Sequence, residues 1–216
     1  MLPLGAQGAP AIQASPAPAG ISLEDLPPAD LSRLRQAFND ATGNVRMLLI
    51  LSPSCPGCQK GSRDMQAQVL GKIDFEKLKV FVVWFPLFAK SDSREVALQT
   101  GAIYTDPRVV QFWQPDWTLG NLYGKVLPFP KSYQYKVAVD VYLIFDEQQT
   151  WGEEVPQPRA FMHRLGEDER LFDPAVLRSL VEGQIRETVA RGACNCNAPK
   201  RDAGSTPPSP GGASGR

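Results

Sequence analysis

A single histidine, His163, occurs in the 216 residues, which leaves little room for imidazole-based catalysis. The sequence carries no Ser-His-Asp pattern, zinc-protease motif or nucleotide-binding glycine loop. Net charge of one sign is also missing, since 23 Lys and Arg balance 23 Asp and Glu. Nucleic-acid binders usually show a strongly basic balance, so no nucleic-acid partner is expected, and nothing hints at electrostatic steering. Long apolar runs are absent too. The longest, Met47 to Leu51 and Val80 to Leu87, fall well short of the roughly 18 to 20 residues that span a bilayer, so no transmembrane segment is expected. Four cysteines are too few for a disulfide scaffold at this length, and their positions matter more than their number. There is no internal repeat.

What is present is an ordinary globular composition, 43% apolar and 21% charged, long enough for one domain with a sizeable core plus appendages. Residues 1–28 are rich in Pro, Gly and Ala, with no charge before Glu24, and read as a disordered leader. MLPLGAQGAPAIQA lacks the basic start and continuous apolar stretch of a secretory signal. The compartment stays open between a cell envelope or periplasm and the cytoplasm. The domain is expected over 29–192, with an insertion at about 87–137, followed by a cysteine-containing disordered tail over 193–216.

Within the domain, strand-like and helix-like stretches alternate. Asp30 is placed to cap a helix over Leu31 to Thr42, with Gly43 as its stop. Arg46 to Leu51 and Lys79 to Phe85 read as buried strands, and a helix is expected from about Cys58 to Leu70. Ser91 or Asp92 is placed to cap a short helix through Thr100, and a second segment runs from about Asp106 to Tyr123. The aromatics Phe112, Trp113, Trp117 and Tyr123 suggest a packed insertion. Val139 to Phe145 reads as a third strand, Ala160 to Leu165 as a short one. Asp173 and Pro174 then open a helix on which Val176, Leu177, Leu180, Val181, Ile185 and Val189 recur at helical spacing.

The informative feature is Cys55-Pro56-Gly57-Cys58 between a buried strand and an amphipathic helix. Two thiols at this spacing can close a small disulfide across one helical turn. Unpaired N–H groups and the helix dipole lower the first thiol's pKa from about 8.5, so Cys55 is the expected attacking thiolate. Cys58, more buried, would resolve the mixed disulfide. The bland alternatives are an inert thiol pair, a structural disulfide or half of a zinc site.

These residues resemble the thioredoxin-like superfamily over about Leu31 to Val189, because helix, strand, CxxC, helix, strand, insertion, two strands and helix follow in that family's order. More loosely, LSPSCPGCQKG with DPRVVQFW and VDVYLIF looks like bacterial thioredoxin-domain proteins. The resemblance implies an α/β fold with a central mixed sheet flanked by helices, and an insertion before the third main strand. It implies a thiol-disulfide oxidoreductase acting on protein or small-molecule thiols and disulfides, with no cofactor beyond its own redox-active disulfide. Departures from thioredoxin fall on residues that tune its chemistry. Ser54 stands in place of a Trp, Leu49 in place of a buried carboxylate, and Val139-Asp140 where the family usually has a cis-proline facing the disulfide. Efficient general reduction of protein disulfides is therefore not expected. Pro56 directly after the first cysteine looks like glutaredoxins and Dsb-type oxidants, which tend toward less reducing potentials.

Three accessory features remain. Asp140 is either solvated at a strand start or a proton acceptor near the disulfide. Cys194 and Cys196, at the end of the last helix, are exposed thiols without a role, a thiol relay reaching Cys55, or metal-ligand capacity; a four-cysteine zinc site from both pairs is a further alternative. His163, if its strand ends near the CxxC loop, would complete a Cys55, Cys58, His163 site for Cu(I), resembling Sco-type copper chaperones, although those place three residues between their cysteines. Metal binding or delivery is thus the second functional reading, and a fold kept only as an interaction scaffold the third.

Overall fold

The computed structural model describes residues 22–196, the backbone alone being considered beyond Gly192. Its centre is a six-stranded mixed sheet in the order β1-β4-β3-β2-β5-β6. The strands are β1 (Leu23–Asp25), β2 (Val45–Leu51), β3 (Leu78–Trp84), β4 (Val109–Trp113), β5 (Val141–Phe145) and β6 (Ala160–His163). β2, β3 and β4 pair in parallel, with β1 parallel to β4, whereas β5 runs antiparallel to β2 and β6 antiparallel to β5. Every residue of β2 and β5 is buried, as expected for strands covered on both faces.

Helices α1 (Ser32–Asp40), α2 (Pro56–Asp64), α3 (Arg94–Gly101), α4 (Thr118–Val126) and α5 (Pro174–Cys196) complete the fold. Phe38 of α1 packs against Phe81, Phe145 and Trp151 with ring centroids 5.1–6.1 Å apart. Below it lies Arg46, fully buried, its guanidinium 4.3 Å from the Phe38 ring centre and donating to the carbonyls of Phe38 and Asp146. That buried cation lacks a directly hydrogen-bonded carboxylate and is held by carbonyl dipoles and a π face. On the opposite face, Trp84 donates to Gln111 Oε1 and Gln111 Nε2 donates to the carbonyl of Gly101, which seats α3 against β3 and β4.

Several boundaries differ from those read in the sequence. The leader was expected to run to residue 28, yet Leu23–Asp25 pairs with Gln111–Trp113 as a strand, because Leu23 and Leu26 bury against the core. Residues 1–21 of that leader, and 197–216 of the tail, lie outside the described residues. The stretch expected as an insertion supplies a full strand, β4, to the main sheet; its first two residues are only half-buried, which weakened the apolar signal. Asp30 accepts from Ser32 N–H, but Leu31 holds the N-cap position of α1, and α3 is capped by Ser93, not by Ser91 or Asp92. The helix expected over Cys58–Leu70 starts at Pro56 and gives way to a π turn at Met65–Val69 and a 3₁₀ turn at Leu70–Lys72. Asp173 caps α5 as expected, accepting from the N–H groups of Ala175 and Val176. Its buried face is Leu177, Val181 and Gln184, leaving Val176, Leu180 and Val189 exposed. α5 also carries its helical backbone through Cys196, past the expected start of the tail at 193. Among the described residues no helix is long and apolar enough to cross a membrane.

Candidate active site

The carboxyl end of β2 leads directly into the Cys55–Cys58 loop. Pro56 takes the first helical position of α2, where its missing N–H costs nothing, and Cys55 is the N-cap. The Cys58 N–H donates to Cys55 Sγ at 3.4 Å. Cys55 is half-buried and Cys58 completely buried, both as free thiols. The Ser52 N–H in turn donates to Cys58 Sγ at 3.4 Å.

This geometry separates the two thiols chemically. The Cys55 pKa is lowered from 9.0 to about 7, first by the hydrogen bond from Cys58, against burial, and further by the Cys58 and Gly57 backbone N–H groups; Asp140 opposes the shift. Burial pushes the Cys58 thiol well up, with its hydrogen bond to Cys55 and the charge of Asp140 acting the same way. A nucleophile poised near neutrality beside a thiol that holds its proton is the division of labour that disulfide exchange requires.

Asp140 enters from the start of β5. It is 4% exposed and sits at φ +51°, a backbone region that non-glycine residues seldom adopt. Val139 and Asp140 occupy the place opposite the dithiol, and no cis peptide bond occurs among the described residues. The Asp140 carbonyl accepts from Arg164 N–H, continuing the β5–β6 ladder by one rung. The Tyr142 hydroxyl, on the same strand face, donates to Asp140 Oδ1 at 2.8 Å. Burial raises the Asp140 pKa from 3.8 to about 6, against the Tyr142 hydroxyl, the Arg164 charge and a hydrogen bond from Cys58. Ligand atoms of Cys55, Cys58 and Asp140 all lie within 4.8 Å of one another, so among the described residues these three are the group that could hold a metal ion.

His163 is not brought to this group. Its neighbour Arg164 reaches Gly57, and residues alternate across a strand. His163 therefore faces the other side of the sheet, fully buried between the rings of Phe129 and Phe161. Its Nδ1 accepts from Leu165 N–H, Nε2 lies 3.1 Å from Asp168 Oδ1, and burial lowers its pKa against the pull of Asp168. The Cys55, Cys58, His163 donor set for Cu(I) is thus not assembled. Cys194 and Cys196 end α5, and their side chains lie outside the described residues. Leu49 is buried in β2, and the Ser54 hydroxyl meets that of Ser91 at 2.9 Å.

Three residues of the site went unread in the sequence. Asp92, only 8% exposed, accepts from the Ser52 hydroxyl at 2.9 Å, Ser54 N–H at 2.9 Å and Phe88 N–H at 2.7 Å, tying the loop after β2 to the loop after β3. Flanked by serines, it resembled a helix cap. Tyr142 carried one signal, its i+2 spacing from Asp140 on a strand. Arg164 carried none, since its place depends on the β5–β6 pairing.

No known family model matches the chain, and no curated protein does. Among solved structures, the chain is similar to a secreted Mycobacterium tuberculosis disulfide oxidoreductase homologous to E. coli DsbE. The two share 10% identity over 67% of this chain and 84% of that one, with a TM-score of 0.42. It is also similar to a thiol:disulfide interchange protein of the thioredoxin family from Chlorobium tepidum TLS, at 11% identity over 68% and 83%, with a TM-score of 0.41. The chain has a thioredoxin-like α/β fold, carried by the β4-β3-β2-β5-β6 order, the antiparallel final pair and the CxxC turn after the central strand.

Proposed function

We propose that the protein is a thiol-disulfide oxidoreductase in which Cys55 attacks and Cys58 resolves. The observation that carries this reading is the half-buried Cys55 thiol at the N-cap of α2, accepting the Cys58 N–H, with the Cys58 thiol sealed behind it. The Cys55 thiolate attacks one sulfur of a substrate disulfide and expels the other as a thiolate. Cys58 then gives its proton to the Asp140 carboxylate, and its sulfur attacks Cys55 Sγ, releasing the second substrate thiolate. Two electrons pass from the dithiol to the substrate, leaving a Cys55–Cys58 disulfide; the reverse sequence oxidises a substrate dithiol.

Asp140 serves the second step because the mixed disulfide has removed the negative charge at Cys55, so the proton passes from the Cys58 thiol to the carboxylate with only one negative charge in the group throughout. Oxidised glutathione mixed with the Cys58→Ser variant, in a chain with Cys194 and Cys196 replaced by Ser, tests the assignment. A single glutathione adduct on Cys55, absent from Cys55→Ser, is expected. In the protein with both active-site cysteines, a reversible couple between roughly −120 and −270 mV is expected. No adduct on Cys55, or no couple in that range, overturns the reading.

A further inference from the structure

Disulfide exchange accounts for the two sulfurs but not for the full arrangement of the carboxylate beside them. Asp140 is only 4% exposed, held at φ +51°, with Oδ1 taken by Tyr142 and Oδ2 turned toward Gly57. In the reduced, fully ionised form the group would carry three negative charges, two thiolates and one carboxylate. Arg164, whose Cδ lies 4.0 Å from the position of a Cβ on Gly57, supplies at most one positive charge, because its guanidinium also pairs with Asp64 at 3.3 Å, a carboxylate that Lys60 shares. Two remain uncompensated.

We propose that the reduced Cys55–Cys58 pair and Asp140 together bind one borderline divalent cation, Zn²⁺, and that oxidation of the pair expels it. A tetrahedral zinc ion holds thiolates at about 2.3 Å and carboxylate oxygens at about 2.0–2.2 Å, which puts its ligand atoms roughly 3.5–3.8 Å apart. The three ligand atoms already lie within 4.8 Å of one another, so small rotations close the site. Zn²⁺ supplies the two positive charges that Arg164 alone leaves wanting. The donor set selects the ion: two thiolates disfavour Mg²⁺ and Ca²⁺, and a carboxylate oxygen is a poor third ligand for Cu(I), whereas zinc accepts both. Half-buried Cys55 leaves the fourth position open to water.

Binding displaces to solvent the Cys58 thiol proton and whatever proton Cys55 still holds at the working pH. Release rests on the redox reading: a disulfide of the glutathione class takes two electrons from the dithiolate and becomes two thiolates that take up protons from solvent, a bond forms between Cys55 Sγ and Cys58 Sγ, and Zn²⁺, left with one protein ligand, departs. The site would thus be present only in the reduced protein.

The test uses the full chain with Cys194→Ser and Cys196→Ser, reduced and titrated anaerobically with Zn²⁺ against a chromophoric chelator, with Co²⁺ as the spectroscopic probe of thiolate ligation. One Zn²⁺ per reduced chain, none per oxidised chain, and affinity at least tenfold weaker in Asp140→Asn are expected. Gly57→Ala, which crowds the carboxylate while keeping all three ligands, should weaken Zn²⁺ binding in the same direction and guards against an unfolded Asp140→Asn. No binding by the reduced protein, or an affinity unchanged in both Asp140→Asn and Gly57→Ala, overturns the proposal. Failure to bind alongside intact glutathione exchange removes the metal site alone. Binding without exchange upholds the cation site and removes the redox reading together with its release step.

Discussion

An ideal Cβ built on Gly57 would stand 2.7 Å from Asp140 Oδ2. The carboxylate therefore occupies space that any other residue at position 57 would contest, and the side chain of Asp140 would have to turn away. Gly57→Ala is expected to leave the first attack by Cys55 nearly unchanged while slowing resolution by Cys58 about tenfold, the order of a misplaced proton acceptor. Rapid-quench trapping of the mixed disulfide separates the two steps. Equal slowing of both would remove the carboxylate from the second.

The alkylation rate of Cys55 should rise with pH through a midpoint near 7, two units of pH below an ordinary thiol at 9.0. Because the Cys58 thiol is the largest contributor to that lowering, Cys58→Ala should move the midpoint up toward 9.0. Asp140→Asn should move it down, since the carboxylate charge opposes the thiolate. Iodoacetamide rates followed by mass spectrometry across pH 5 to 10 give all three curves.

Asp92 accepts three hydrogen bonds from two loops, so Asp92→Ala leaves the Ser52 hydroxyl and the Ser54 and Phe88 N–H groups seeking water in a buried place. A loss on the order of 3 kcal/mol is expected, from about 1–3 kcal/mol for each buried group left unpaired and partial relief by solvent. Urea unfolding measures it. Ser52 also donates to Cys58 Sγ, so the redox potential should shift with the loop, whereas a purely structural brace would leave the potential fixed.

Glu147 gives a pH test of stability. The Arg191 guanidinium, with Thr188, pulls its pKa from 4.5 to about 2 despite partial burial. A carboxylate depressed on folding stabilises the protein above its unfolded value and loses that contribution as pH falls through the folded one. Stability should therefore decline between about pH 4.5 and 2, and Glu147→Gln should flatten the decline. Denaturant midpoints at pH 6 and pH 3, compared between the two proteins, decide it.

Local patterns carried much of this architecture. Unbroken apolar runs marked β2, β3 and β5, and the Asp173-Pro174 pair marked the start of α5, because each depends on neighbouring residues only. β1 and β4 were hidden, since a three-residue edge strand and a half-exposed one owe their place to pairing partners far along the chain. At the site, the two thiols were legible from their spacing. Asp140 was legible as one of two alternatives, and pairing with β6 decided between them. Arg164 was silent and Asp92 read only as a helix cap, because the site residues they touch lie 24 and 38–40 residues away in sequence, at Asp140 and at Ser54 and Ser52. The misplacing of His163 has the same root: a strand position says how close an end comes, whereas the face depends on register.

The Tyr142 hydroxyl lies directly beneath Gly61 of α2, so close that no side chain would fit between helix and strand there. That seat leaves the helix no room to settle further toward the sheet, and Cys58, one turn before it, inherits the same immobility. Closing a disulfide needs the two sulfurs to come within about 2.05 Å of each other. The approach must then be made almost wholly by Cys55 swinging inward on its loop, with the buried partner acting as a fixed anvil. Oxidation would register at the rim of the molecule, among Ser54, Ser91 and Phe88, while the interior keeps its shape.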